Sequence, residues 1–333
     1  MDIRDRAGLY REAESRLAAA PNLKRLILLH TVASAAVLLA VTALNYVLQD
    51  RIGDTGGLGG MGMRSALSTA STVLQLAVNL AMPFWVIGYS AVVLRTLRGE
   101  PCEDRTLLSG FRQFGPVLRL TLLQNMLLIL LAMLCIYPAA LIFMMTPWAK
   151  PMMQAMVPFS QTAAPTEEQT QALTQALEGA YLPIMGVYTV LVLLVALPLL
   201  FRLRFSALAL MDAPQSGALA AMRKSIRLTK GNCGAVLRVD LHFWWYFLLE
   251  LAVTVLAYGD VLLTLFGVTV PVDRTVLFFG IYAVYLAAQI GLYCWQKNRV
   301  ELTYGCCYRA LESASGQSMP VQPRKVPWND YYG

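Results

Sequence analysis

Charged residues are scarce in this chain, 14% of 333, against roughly a quarter in an average soluble domain. Histidine occurs twice, and the six cysteines include no Cys-x-x-Cys pair. That inventory frames neither a zinc site nor a disulfide scaffold, so the thiols read as structural. H-E-x-x-H, a Walker loop and G-x-S-x-G are all missing, which removes the familiar signatures of zinc peptidases, nucleotide hydrolases and serine hydrolases. Gly57-Leu-Gly-Gly-Met-Gly62 matches the letters of a dinucleotide fingerprint. It lies between two apolar runs, without the strand and helix that would aim amides at a pyrophosphate, and reads as a glycine loop. No cofactor, metal site or reaction is implied.

What the chain has instead is apolar length. Hydrophobic residues make up 57% of it and gather into runs near the length that crosses roughly 30 Å of hydrocarbon. The expected fold is all-α: a polytopic membrane protein with six transmembrane helices at Leu26–Leu48, Thr72–Leu94, Leu120–Met145, Leu182–Phe201, Leu241–Tyr258 and Thr275–Cys294. The fifth is short, interrupted by Glu250, and its apolar character resumes in Val261–Val268 after Asp260. A cytoplasmic amino-terminal helix in 1–25, a membrane domain over 26–312 and a flexible tail from 313 to 333 complete the organisation. The first run follows a segment of mixed charge, shows no small-residue cleavage site after its apolar stretch, and reads as a retained anchor.

Cations set the orientation. Of 27 Lys and Arg residues, 23 fall in 1–25, 95–119, 202–240 and 295–333, leaving Arg51, Arg64, Lys150 and Arg274 for the other side. Cationic loops stay cytoplasmic, so a multi-pass plasma-membrane protein of bacterial type with both termini inside is expected. The net charge of +7 then belongs to membrane topology, with anionic headgroups as partners and no nucleic acid.

Two stretches resemble each other. Ser90-Ala-Val-Val-Leu leads through a polar segment to Val117-Leu-Arg-Leu, and Ser206-Ala-Leu-Ala-Leu leads likewise to Val236-Leu-Arg-Val. Both run from a span through a cytoplasmic linker to a span, the pattern of a parallel repeat over 72–145 and 182–258 or of a chance likeness. The linkers read as amphipathic helices. In the first, Leu107, Phe111 and Phe114 form a stripe that Leu108 widens and Gly115 ends. In the second, Leu219, Met222 and Ile226 form the stripe, Arg223, Arg227 and Lys230 line the adjacent face, Gly231 supplies the stop, and Asp212 or Ser216 is the expected cap. Such helices either lie among lipid headgroups, with those three cations as contacts, or pack on the end of the bundle.

The second linker also carries a family likeness. Met211-Asp-Ala-Pro, Ser225-Ile-Arg-Leu-Thr-Lys-Gly-Asn232 and Leu237-Arg-Val-Asp-Leu-His-Phe-Trp-Trp245, with Leu9-Tyr-Arg-Glu-Ala-Glu-Ser-Arg-Leu17 near the start, resemble the bacterial integral membrane family catalogued as domain of unknown function 975. The likeness spans most of 8–312, although 239–245 is richer in aromatics than that family's pattern and the outer loop 146–181 is long. It implies a multi-span membrane protein, distantly similar to the membrane domain attached to some glycerophosphodiester phosphodiesterases, and brings no substrate or catalytic residue.

Polar residues inside the spans are the remaining signal. His30, Gln124, Asn125 and Gln289 fall about 6–9 Å from the cytoplasmic ends and Glu250 about 13 Å, at 1.5 Å per residue. An ionisable group at that depth needs a partner or water, which makes Glu250 the leading candidate, either functional or a hydrogen-bonding brace between helices. Asp260 and Asp273 read as solvated loop charges, and Pro165-Thr-Glu-Glu-Gln-Thr-Gln as a helix start. Pro83, Pro138 and Pro198 sit inside spans, and Trp244, Trp245 and Tyr246 read as an interfacial anchor. Two functions fit: a non-enzymatic structural, regulatory or assembly protein, or a small transporter or lipid-handling protein built on the cluster around Glu250.

Overall fold

The computed structural model describes residues 5–54, 60–161, 166–259, 263 and 274–316, and the described residues are helical with no strand. Asp260, Asp273 and the tail beyond Gly316 lie outside them, as do residues 55–59 of the glycine loop and all of Val261–Val268 but Leu263. Five helical stretches are long and apolar enough to cross a membrane: Asn22–Tyr46, Ser65–Arg98, Phe114–Met144, Glu167–Asp212 and Thr275–Ala314. A sixth is added if a bent pair counts as one span. The chain forms two compact units, Met1–Leu118 with Phe205–Gly333, and Arg119–Arg204. Their boundaries run through both copies of the apparent repeat.

In the first unit, α1 (Arg6–Ala19) is capped by Asp5, whose side chain accepts the Gly8 amide at 3.0 Å. Helix α2 (Asn22–Asp54) pairs with α3 (Gly60–Arg98), which continues through Pro83. The linker after α3 departs from the expected single helix. It divides into a 3-10 turn (Asp104–Leu108) and a four-residue α4 (Ser109–Arg112), and α5 (Phe114–Met144) then begins, so Gly115 opens a helix instead of closing one. The cause is a backbone contact. A Cβ on Gly88 would stand 2.0 Å from the Leu107 carbonyl oxygen, and one on Gly110 would stand 1.9 Å from that of Phe84. The linker lies directly on α3, with Phe84 stacked against Phe111 and Phe114 at 5.5 and 4.9 Å. Leu107 is buried as the stripe requires, whereas Leu108, Phe111 and Phe114 remain exposed.

The return to this unit carries α8 (Ser206–Asp212), α9 (Ala218–Thr229), α10 (Cys233–His242) and α11 (Trp244–Leu256). The last two meet at Phe243 with a bend of 64°. The fifth expected span is therefore an elbow: the 13 residues of α11 reach about 20 Å at 1.5 Å per residue, short of the hydrocarbon thickness. Helix α12 (Arg274–Leu292) continues through a π-helical turn (Tyr293–Lys297) into α13 (Asn298–Ala314). The last span thus does not stop near Cys294. Its extension α13 packs along α1, the end of α3 and α9, burying eleven of its 17 residues, Tyr308 and Cys307 completely. Interhelical hydrogen bonds hold the far ends of the spans: Thr42 donates to the Tyr282 hydroxyl at 3.1 Å, Ser71 to Asn45 at 2.9 Å, and Tyr46 meets Thr275 at 2.6 Å.

In the second unit, much of the expected outer loop is helical. It contains α6 (Ala149–Gln161), and α7 (Glu167–Leu203) begins well before Leu182. Thr166 and Gln169 form a reciprocal capping box there, the expected helix start. Phe143, Ala149 and Ala180 make a small core with Met152 and Ile184, and Tyr188 donates to the Ala132 carbonyl at 3.4 Å.

Candidate functional site

Glu250 projects from α11 toward the π-helical turn, and the Tyr293 hydroxyl donates to its Oε1 at 2.8 Å. Gln289, one turn before Tyr293, lies beside Tyr285 and Tyr293. Glu250 and Gln289 therefore share one polar seam, bridged by a tyrosine that the depth count did not single out. His30 is buried elsewhere among rings. It stacks on Trp85 at 5.2 Å with planes 5° apart and meets Tyr89 at 5.1 Å. Trp85 donates to the His30 carbonyl at 3.1 Å, and His30 Nδ1 has no partner among the described residues. Gln124, half-buried, and Asn125, exposed, belong to the other unit.

Lys297 is the residue that sequence reasoning missed. Ending the last span at Cys294 left Lys297 among the cytoplasmic cations, but the π turn carries it back against the bundle. Its ammonium lies 4.1 Å from the Tyr293 ring centroid and 6.0 Å from that of Tyr89. No carboxylate stands within 4.0 Å of it among the described residues, so aromatic faces are its partners. Next to it, the Tyr89 hydroxyl donates to the Asn298 side chain. The Tyr293-to-Lys297 spacing of four was a sequence signal for this contact. The π turn itself, a feature frequent at functional sites, had none.

The second assembly sits at the basic end and centres on Asp212. Arg98 of α3 donates to its Oδ1, while Lys224 and Tyr308 donate to its Oδ2 at 3.0 and 3.1 Å. Lys224 also donates to Glu312 at 2.7 Å, and Arg309 to the Leu97 carbonyl at 2.6 Å. Four helices are thereby tied through one carboxylate, in a network whose Lys224, Asp212 and Glu312 side chains are 18–19% exposed. Burial pulls the Lys224 ammonium down, but its hydrogen bonds to Glu312 and Asp212 and their charges outweigh this, so its pKa stands above the ordinary lysine value.

Asp212 accordingly does not cap α9, and neither does Ser216: the N-cap is Gly217, without a side-chain bond. The buried face of α9 is also rotated from the expected stripe. Ala218, Ala221, Met222, Ser225, Leu228 and Thr229 face the bundle, Ile226 is half-buried, and Leu219 is 55% exposed. Small residues win that side because α8 and α13 lie close, with the Phe205 amide donating to Ser225 Oγ at 3.2 Å. Arg223, Arg227 and Lys230 are left exposed on the outer side, and Gly231, at φ +79°, turns the chain after the helix.

Two recesses open on this unit: an open one of about 370 Å³ beside Arg25 and Asp104, and a narrower cleft of about 140 Å³ beside Phe243. Among the described residues no group of three or more His, Cys, Asp or Glu is placed to hold a metal ion. Set against models of known protein families, curated proteins and solved structures, the chain matches none of them.

Proposed function

We propose that this chain is a non-enzymatic integral protein of the plasma membrane, structural, regulatory or assembly-related, that holds a rigid basic face against anionic headgroups of the cytoplasmic leaflet. One observation carries the reading: α9 buries its small-residue side on the bundle while Arg223, Arg227 and Lys230 stay exposed on the other. Each cation near an anionic surface contributes about 1 kcal/mol. Membership of the family with the Asp-x-Pro and Lys-Gly-Asn pattern is part of the proposal and rests on the quoted residues.

The test uses the full chain in nanodiscs, with an environment-sensitive dye on Leu219→Cys in a background without other reactive thiols. Quenching by brominated phosphatidylglycerol should exceed quenching by brominated phosphatidylcholine, and the excess should vanish in Arg223→Glu/Arg227→Glu. Equal quenching by the two lipids would refute the contact. Orientation is checked separately: cysteines at Ser160 and Ser318 should react with an impermeant reagent from outside and from inside, respectively.

A second reading, transport or lipid handling, draws on the seam around Glu250, since the π turn sets a half-buried lysine beside the tyrosine that binds the glutamate.

A further inference from the structure

The cleft of about 140 Å³ lies where α1, the α10–α11 elbow and the start of α13 meet. It has room for about five water molecules at roughly 30 Å³ each, or for a small polar headgroup in their place. Its level in the bilayer follows from its neighbours. The apolar α11 begins at Trp244, and Trp244 and Trp295 are both more than half exposed, with Trp245 and Trp295 5.4 Å apart. Tryptophans in such a cluster mark the boundary between hydrocarbon and headgroups.

Arg299 and Glu14, both exposed, border the cleft, and among the described residues neither has an ion-pair partner, in each other or elsewhere. Gln296 also lines the cleft and is 5% exposed. Tyr10 and His242, with ring centroids 4.1 Å apart, form one wall, and Trp245 stands with them. The first turn of α11, whose N-cap Phe243 supplies no side-chain acceptor, opens at the same place and favours an anion.

One cation and one anion, separately placed and unpaired, match a ligand that is neutral overall and carries both charges. We propose that this cleft binds the headgroup of a zwitterionic phospholipid with a primary ammonium, of the phosphoethanolamine type. Arg299 and the Gln296 amide take the phosphate, and Glu14 accepts from the ammonium, which the aromatic wall also attracts. The site is distinct from the outer side of α9, where three like charges favour anionic lipid. It deepens the proposed lipid-facing role and rests on the same membrane placement.

The experiment is native mass spectrometry of the purified full chain after equilibration with equal amounts of phosphatidylethanolamine, phosphatidylcholine and phosphatidylglycerol. The ethanolamine lipid should be retained about tenfold over the choline lipid, whose quaternary ammonium cannot donate to Glu14. Arg299→Ala and Gln296→Leu should each reduce that retention by about tenfold, while Arg223→Glu/Arg227→Glu should leave it unchanged. Equal retention of the ethanolamine and choline lipids by the unaltered chain overturns the proposal, a result that depends on no variant folding. Preferential retention of phosphatidylglycerol abolished by Arg299→Ala overturns it as well. If instead the dye on α9 reports no anionic contact while ethanolamine selectivity persists, the basic-face reading falls and this site stands.

Discussion

Helix α13 buries eleven of its 17 residues, and α7 buries three of its 37. Yet α7 has the long apolar run and α13 carries Asn298, Arg299, Glu301, Arg309 and Glu312. Apolar content and burial run in opposite directions here because the two helices meet different solvents. A span can leave leucines on its surface when that surface faces acyl chains, and Leu182, Leu194 and Leu197 of α7 are left so. An amphipathic helix in water must cover its apolar side with protein. The densely packed core of this chain is consequently found in the collar where α1, α3, α8, α9 and α13 converge, and the spans contribute less to it.

Glycine substitutions test that contrast most sharply. Gly88→Ala places a methyl against the Leu107 carbonyl oxygen at 2.0 Å and should cost about 3 kcal/mol or more through forced separation of backbones. Gly186→Ala in α7 meets nothing within 4 Å and should leave stability unchanged or raise it by up to about 1 kcal/mol. Thermal unfolding followed by size-exclusion in detergent measures both, and equal effects would remove the distinction between the regions.

Next in size is Asp212→Ala, which strands Arg98, Lys224 and Tyr308. The side chains are largely but not fully covered, so the loss should be about 2–3 kcal/mol, less than for a fully buried pair. Asp212→Asn should recover part of it. A loss below about 0.5 kcal/mol would mean that the collar is held by apolar packing alone.

The pH dependence of the same network follows from the raised Lys224 pKa. Its folded value lies above the unfolded one of about 10.4, so the stabilisation is complete below that pH and declines as pH rises through the folded value. The difference in unfolding midpoint between the unaltered chain and Lys224→Met should be constant from neutral pH to about 10 and shrink above about 10.4. A difference that persists in strong alkali would point to packing instead of charge.

The smallest effect is expected at Glu250. Its amide isostere can still accept from Tyr293, so Glu250→Gln should change stability by less than about 1 kcal/mol. Proton flux into liposomes carrying the unaltered chain, abolished by this substitution in a folded protein, would instead favour the transport reading.

Several features were legible in the residues themselves. Apolar runs of sufficient length dictated the helical spans, because a backbone in hydrocarbon must satisfy its own hydrogen bonds. The Thr166–Gln169 box marked the start of α7, and Gly231 marked a turn, since both signals are local. Depth within the spans singled out Glu250 and Gln289 as candidates, and the Tyr293 hydroxyl donates to Glu250. What only the tertiary structure decided involves contact between distant segments. The Gly88–Gly110 crossing broke the first linker into short turns. The approach of α8 and α13 rotated the buried side of α9 and exposed Leu219. The π turn brought Lys297 to Tyr293, and Asp212 became the tie among four helices instead of a cap. Periodicity reports which side of a helix is apolar, but the neighbour that covers a side, and how closely its backbone approaches, is fixed by residues far away in the chain.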